Sequence, residues 1–238
     1  MKNNTNMQLA SDAEIESQFI KTYVYTAFLK DDHLKISSEN GAVTLTGNVP
    51  YQSHKDIARD TAGALPGVTS VDNRIVNKGE QTPDKSDSWI GMKVKMALLF
   101  HRSVSGFNTE VIVKNGRVTL KGEAGNTAQK DLTTEFAQDI DGVESVTNEM
   151  SIAKAPPKKD TRTMIQIIDD ASITAQVKSA LLFHRSTRML TTDLTIKEGK
   201  VTLTGKTKNQ AEKDLVTKYV SDIHGVKSVE NNLTVTPN

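Results

Sequence analysis

The sequence predicts an α+β protein of three tandem modules, each running helix, strand, strand, helix, strand (αββαβ), with two helices on one face of a small three-stranded sheet. Three observations carry this prediction. A glycine-bracketed hairpin occurs three times, as GAVTLTG at 41–47, GRVTLKG at 116–122 and GKVTLTG at 199–205. A second signature follows each hairpin, GVTSVDN at 67–73, GVESVTN at 142–148 and GVKSVEN at 225–231, and 26 residues separate the two leading glycines every time. Along each copy the apolar spacing switches between the period of an amphipathic helix and the alternation of a half-buried strand.

In the second copy, Asp87 is the expected N-cap of the first helix. Ile90, Val94, Ala97 and Leu98 then fall at i, i+4, i+7 and i+8 and form its core stripe. The third copy keeps step with the second at an offset of 83 residues, through the shared Leu98–Arg102 and Leu181–Arg185. In the first copy, Ile20, Val24, Ala27 and Phe28 match Ile90, Val94, Ala97 and Leu98 at an offset of 70, which predicts a following loop five residues shorter. Asn115-Gly116 and Asn40-Gly41 are tight hairpin turns, and Glu198-Gly199 takes the same place less cleanly. Val118 and Leu120 alternate with Thr119 and Lys121 as a half-buried strand requires.

Ser53, Thr127 and Asn209 are the expected caps of the second helix, with Ile57, Leu132 and Leu215 on its core side. Gly67, Gly142 and Gly225 end that helix, and the last strand follows. The modules therefore span 12–77, 87–153 and 169–236, with linkers at 78–86 and 154–168, the second stiffened by Pro156 and Pro157. Units of this size bury too little surface to be robust alone, so mutual packing of the copies is expected.

Composition bounds the function. Hydrophobic residues make up 36% of the chain, enough for a core. Thirty basic against twenty-nine acidic residues give a net charge of +1 and no global field for nucleic acid. The chain has no cysteine, which excludes disulfides, thiolate metal sites and a cysteine nucleophile. No run reaches the roughly 18 apolar residues of a transmembrane helix, and residues 1–11 lack the apolar segment of a secretory signal. That start fits a mature protein whose signal has been removed, or a protein never exported.

The pattern D-x-x-I-x-x-x-V-x-x-A-L at Asp87–Leu98 and Asp170–Leu181, the G-x-V-T-L-x-G hairpin and the closing G-V-x-S-V-x-N resemble the BON family, bacterial OsmY and nodulation proteins. The resemblance covers nearly the whole chain in three copies, in the manner of an OsmY-like protein. It implies an αββαβ fold and a non-catalytic role in the periplasm or outer membrane, tied to osmotic and envelope stress. The partner it implies is anionic phospholipid or an envelope protein, with no cofactor and no nucleic acid. Two other readings stay open: a soluble protein-interaction scaffold or chaperone-like module, and a cytosolic sensor of a small ion such as potassium.

The residues are read beside that resemblance. The histidines are His33, His54, His101, His184 and His224. The repeated His101-Arg102 and His184-Arg185 invite a metal or catalytic reading, yet both histidines continue the core stripe, so packing or helix capping is expected. No H-E-x-x-H spacing occurs, and no metal site or catalytic residue is assigned. The repeated glycines lack a phosphate-loop context and read as turns. Lys55-Asp56, Lys130-Asp131 and Lys213-Asp214 read as exposed early-helix pairs, and Asn73, Asn148 and Asn231 as partners for nearby backbone.

One helix differs between copies. Opposite its core stripe, the second copy's first helix carries Trp89, Met92, Met96 and Phe100 beside Lys93. This apolar face with a basic flank is the candidate site for docking a membrane or protein partner, or else for packing against another copy. Charge adds an asymmetry: residues 154–238 hold 14 basic and 9 acidic side chains, whereas residues 12–77 hold 6 and 9.

Overall fold

Three aspartates at one module position, Asp12, Asp87 and Asp170, fix the frame of each copy. Each is the first residue of a helix: α1 (Asp12–Lys21), α3 (Asp87–Phe100) and α5 (Asp170–Phe183). Each carboxylate reaches the hairpin turn 28 and 29 residues on and accepts two backbone N–H groups there. The distances are 2.8 and 3.0 Å for Asn40 and Gly41, 2.7 and 2.8 Å for Asn115 and Gly116, and 2.7 and 2.8 Å for Glu198 and Gly199. Asp87 is therefore a clamp on the turn rather than the expected cap. The caps precede it in chain order, Ser11 on α1 and Asp169 on α5. The turn needs the clamp because Asn115 and Gly116 both sit at positive φ, 52° and 72°, with their amides turned outward.

The computed structural model describes residues 10–78, 87–104, 106–153, 168–187 and 191–236. The expected linkers fall outside these residues, apart from Lys78 and Ile168 at their edges. The chain divides into two compact units, Met1–Gly79 with the first copy and Glu80–Asn238 with the second and third.

In the first unit, β1 (Lys35–Glu39) pairs antiparallel with β2 (Ala42–Thr46), which continues into β3 (Asn48–Val49). After α2 (Gln52–Gly63), β4 (Ser70–Asn73) returns parallel to β2, and β5 (Val76–Asn77) parallel to β3. The core joins Ile15 and Phe19 of α1 to Val43 and Leu45 of β2 and Ile57 of α2, all at most 1% exposed.

The first copy's helix is thus in register at an offset of 75, not 70. Ile15 and Phe19 take the places of Ile90 and Val94, while Ile20 is 46% exposed. No loop is shortened, since Asp12 to Gly41 spans the same 29 residues as Asp87 to Gly116. What misleads is a helix break. Thr22 leaves the helical region at φ −59°, ψ 150°, donates its hydroxyl to Phe19 O at 2.7 Å and accepts Tyr25 N–H at 3.2 Å. The chain restarts as a π-helical turn at Tyr25–Leu29 and a 3-10 turn at Lys30–Asp32.

The second unit repeats the plan twice. In the second copy, β6 (Thr109–Lys114) and β7 (Arg117–Ala124) form the hairpin, followed by α4 (Thr127–Gln138), β8 (Ser145–Asn148) and β9 (Ser151–Ile152). In the third, β10 (Thr191–Lys197), β11 (Lys200–Thr207), α6 (Gln210–Ser221) and β12 (Ser228–Val235) do the same, with β12 parallel to β11 over eight residues.

Asn126 and Asn209 cap α4 and α6, each accepting an N–H three residues on at 2.8 Å. Asn209 meets its expectation. Thr127 is instead the first helical residue of α4, and Ser53 is buried inside α2. Ile57 is buried as expected, whereas Leu132 and Leu215 are only half-buried, and Thr133, Phe136 and Val216 fill the core beside them.

The recurring Asn73, Asn148 and Asn231 tie the last strand to the second helix. Each side-chain amide donates to the carbonyl of Lys55, Lys130 or Lys213 at 2.8–2.9 Å, and its oxygen accepts the N–H two residues on. Lys130 and Lys213 are not free surface charges, because their Nζ atoms donate to the carbonyls of Met150, between β8 and β9, and Leu233, in β12.

Candidate functional site

The two His-Arg repeats meet in the second unit and join its two modules by a reciprocal, two-fold-like contact. The chain just past α3 lies against the end of α6, and the chain just past α5 lies against the end of α4. Four backbone bonds stitch them: Arg102 N–H to Asp222 O at 3.0 Å, His224 N–H to Phe100 O at 2.9 Å, Arg185 N–H to Asp139 O at 2.7 Å and Asp141 N–H to Phe183 O at 2.9 Å. Side chains repeat the symmetry. Ser186 Oγ donates to Asp139 at 2.6 Å, and Ser103 Oγ to Asp222.

The arginines bond carbonyls across the joint, at the end of α6 and in the turns that follow α4 and α6. Arg102 donates to Ser221 O and Val226 O at 2.5 and 3.3 Å, and Arg185 to Val143 O and Ile140 O at 2.7 and 3.4 Å. Ser221 is the last residue of α6, where a guanidinium meets an unsatisfied acceptor and the negative end of the helix dipole, and the other three carbonyls lie in the turns after α4 and α6. These segments belong to the neighbouring module, and not to the arginine's own.

At the centre His101 and His184 lie 5.6 Å apart, both fully buried. His101 stacks on Phe136 at 4.1 Å, and His184 lies against Tyr219 at 4.4 Å. His184 Nδ1 bonds Asp139 at 3.2 Å; His101 Nδ1 sits at the same distance from Asp222 but off the hydrogen-bond direction. The Tyr219 hydroxyl adds a donor to Asp139 at 2.9 Å, which Phe136 cannot supply to Asp222.

Burial pushes both carboxyls up. The histidine and serine donors, with Tyr219 at Asp139, more than offset this and hold them below the ordinary carboxylate range. Burial also lowers His101, a tendency Asp222 only partly opposes. The Tyr219 hydroxyl is pushed up by burial and by the Asp139 charge.

The candidate docking strip enters the same interface. Both α3 and α5 are buried on nearly all sides and pack on one another. Met92, Met96 and Phe100 are 9%, 4% and 0% exposed, and Lys93 is 4% exposed. The Lys93 ammonium bonds Asp141 O at 2.5 Å and lies 6.0 Å from the Trp89 ring centre. Four of the five residues are therefore interior, and Trp89 alone keeps partial access to solvent. The positions equivalent to Met92 and Met96 on α5 are Ala175 and Ser179, so this face is bulky on one helix and small on the other.

In the first copy the matching positions hold Thr26-Ala27 for His-Arg, Thr61 for the aromatic and Ala64 for the aspartate. It carries none of the joint's side chains. The signal was present in the sequence as H-R-S and [F/Y]-x-x-D-I, shared by the second and third copies and missing from the first. Of the remaining histidines, His224 flanks the joint, and His33 and His54 lie in the first unit. His54 Nδ1 meets Asp32 at 2.6 Å beside a shallow hollow lined by Asp31, His33, Lys35 and Asn48. Among the described residues, no group of three His, Asp or Glu side chains is arranged to hold a metal ion.

This architecture recurs in known sequences. The BON domain family matches residues 11–79, 86–154 and 169–237. The chain belongs to the BON domain family. Among curated proteins, it is 30% identical over 146 residues to the 21 kDa hemolysin of Actinobacillus pleuropneumoniae, covering 58% of this chain and 74% of that one. It is 32% identical over 141 residues to the outer membrane lipoprotein DolP of Haemophilus influenzae, covering 56% and 72%. It is 29% identical over 126 residues to the osmotically inducible protein Y of Escherichia coli, covering 51% and 63%. With three BON modules in one chain, the hairpin clamp and the strand asparagine are features of every copy, whereas the His-Arg joint belongs to the second and third BON modules alone.

Proposed function

We propose that this BON protein is a non-enzymatic component of the bacterial envelope, acting in osmotic or envelope stress by binding anionic phospholipid or another envelope component. The observation that carries the reading is the threefold BON match. The names of an outer membrane lipoprotein and an osmotically inducible protein among its relatives support the setting, and a periplasmic location follows from it. The titratable clusters of the second unit are engaged in joining modules, which leaves binding to exposed surface. That surface is basic in the third module, where Lys178, Lys197, Lys200, Lys206 and Lys227 are exposed, and Leu182, one turn from Lys178 on α5, is 59% exposed. Each lysine held near an anionic bilayer contributes about 1 kcal/mol. Trp89 is the accessible remnant of the expected docking strip.

Flotation with vesicles tests the proposal. The full chain should float with phosphatidylglycerol-containing vesicles and not with phosphatidylcholine alone. Raised salt, or Lys197→Glu with Lys200→Glu and Lys206→Glu, should reduce the bound fraction several-fold. Failure to float with either vesicle would reject lipid binding and favour a protein-interaction scaffold.

A further inference from the structure

The centre of the joint is chemically unusual. Two imidazoles share one buried cluster, and neither Nε2 has a hydrogen-bond partner among the described residues. A carboxylate facing each Nδ1 favours the neutral tautomer with its proton there. The bare Nε2 then lies among aromatic rings at little cost. We propose that His101, His184, Asp139 and Asp222 form an acid-sensitive joint: with neutral histidines the second and third modules stay closed on one another, and histidine protonation releases them.

An imidazolium needs acceptors for both N–H groups, and the second N–H here would have none in a site closed to water. Two imidazolium ions would also stand 5.6 Å apart. The carboxylates facing the pair oppose this only in part, as at His101, and neither offers an acceptor to Nε2. Asp139 and Asp222 already accept from Ser186, Tyr219 and Ser103. The Arg102 Nε is 3.7 Å from Asp222 and adds positive charge, as does Arg185 at the mirror position. Half-buried His224, next to Asp222, is itself disfavoured as a cation, chiefly by burial and also by Arg102. Glu135 acts on the Tyr219 side.

The sign follows from linkage. Burial holds His101 below its ordinary value in the closed form, so the separated form binds more protons and gains population as pH falls below about 6.5. Both carboxyls lie below their ordinary value of 3.8 in the closed form. A transition between about pH 6.5 and 4 therefore belongs to the histidines. Opening would uncover Met92, Met96 and Phe100 of α3, the apolar face that the closed joint conceals.

The absence of cysteine makes the test direct. Spin labels on Lys121→Cys and Lys200→Cys, at side chains 46% and 57% exposed on β7 and β11, report the separation of the two modules in the full chain. The expected result is one narrow distance at pH 7.5 and a longer, broad distribution at pH 4.5, reversible on neutralisation. With His101→Gln and His184→Gln the distance should stay the same at both values.

A pH-independent distance in the parent, or an unchanged acid response in the glutamine pair, would overturn the proposal. If the glutamine pair does not close at pH 7.5, single His101→Gln decides. Burial holds His101 below its ordinary value in the closed form, so its removal should make the acid transition shallower than the parent's, and an unchanged steepness would count against the joint.

Discussion

Removing one carboxylate from the joint should cost more than an ordinary surface substitution, and unequally on its two sides. Asp139→Ala strips the acceptor from His184 Nδ1 at 3.2 Å, the Tyr219 hydroxyl at 2.9 Å and Ser186 Oγ at 2.6 Å. Ser186 is exposed and recovers water. His184 and Tyr219, 0% and 9% exposed, do not.

Two buried donors left unpaired at about 1–2 kcal/mol each give a loss of about 2–4 kcal/mol. For a unit of this size that is a fall in Tm of roughly 4–16 °C. Trp89, the single tryptophan, lies in the second unit and reports its unfolding by fluorescence without a signal from the first. Asp222→Ala should cost about 1 kcal/mol less, because Phe136 stands where Tyr219 would donate. A cycle with Tyr219→Phe should return a coupling above about 0.5 kcal/mol. An Asp139→Ala protein within about 0.5 kcal/mol of the parent would refute the assignment of that carboxylate as a shared acceptor.

Three further substitutions follow from the same geometry. Met96→Ser, at a side chain 4% exposed, should lower the stability of the second unit by about 2–4 kcal/mol in denaturant titrations and leave vesicle binding per folded molecule unchanged. Asn148→Ala removes bonds to Lys130 O, the Thr134 hydroxyl and Met150 N–H and should cost about 1–3 kcal/mol, read as a lower denaturant midpoint. Glu198→Asn should instead raise the thermal midpoint by the equivalent of about 0.5–1 kcal/mol. Glu198 holds φ 53° where the sister turns use Asn40 and Asn115.

Much of the fold was legible because the repeat constrains it. Turn chemistry at Asn40-Gly41 and Asn115-Gly116, alternation along β7 and the cap at Asn209 are local signals, and local signals survive in sequence. The first helix of the first copy was misplaced because Thr22 interrupts it. Apolar residues on both sides of the break then mimic a single stripe through Ile20 and Val24. The spacing from Asp12 to Gly41 held the correct register, but its meaning lies in a long-range bond from a carboxylate to a turn.

The face of Met92 and Met96 was readable as unusual, with docking and packing against another copy both open, since composition cannot tell lipid from a neighbouring helix. The joint was hidden for a related reason. His-Arg, the aromatic and the aspartate each look ordinary in one module and acquire a role only when two modules present them to each other.

Amide hydrogen exchange at four positions tests most directly whether the second and third modules fold as one body. Arg102, Asp141, Arg185 and His224 donate the backbone bonds that cross the joint. At neutral pH their amides should exchange as slowly as those of Val118 and Val201 in the central strands, and by the same global opening. Protection in those strands with free exchange at all four crossing amides would show two modules that fold separately, and would contradict the account.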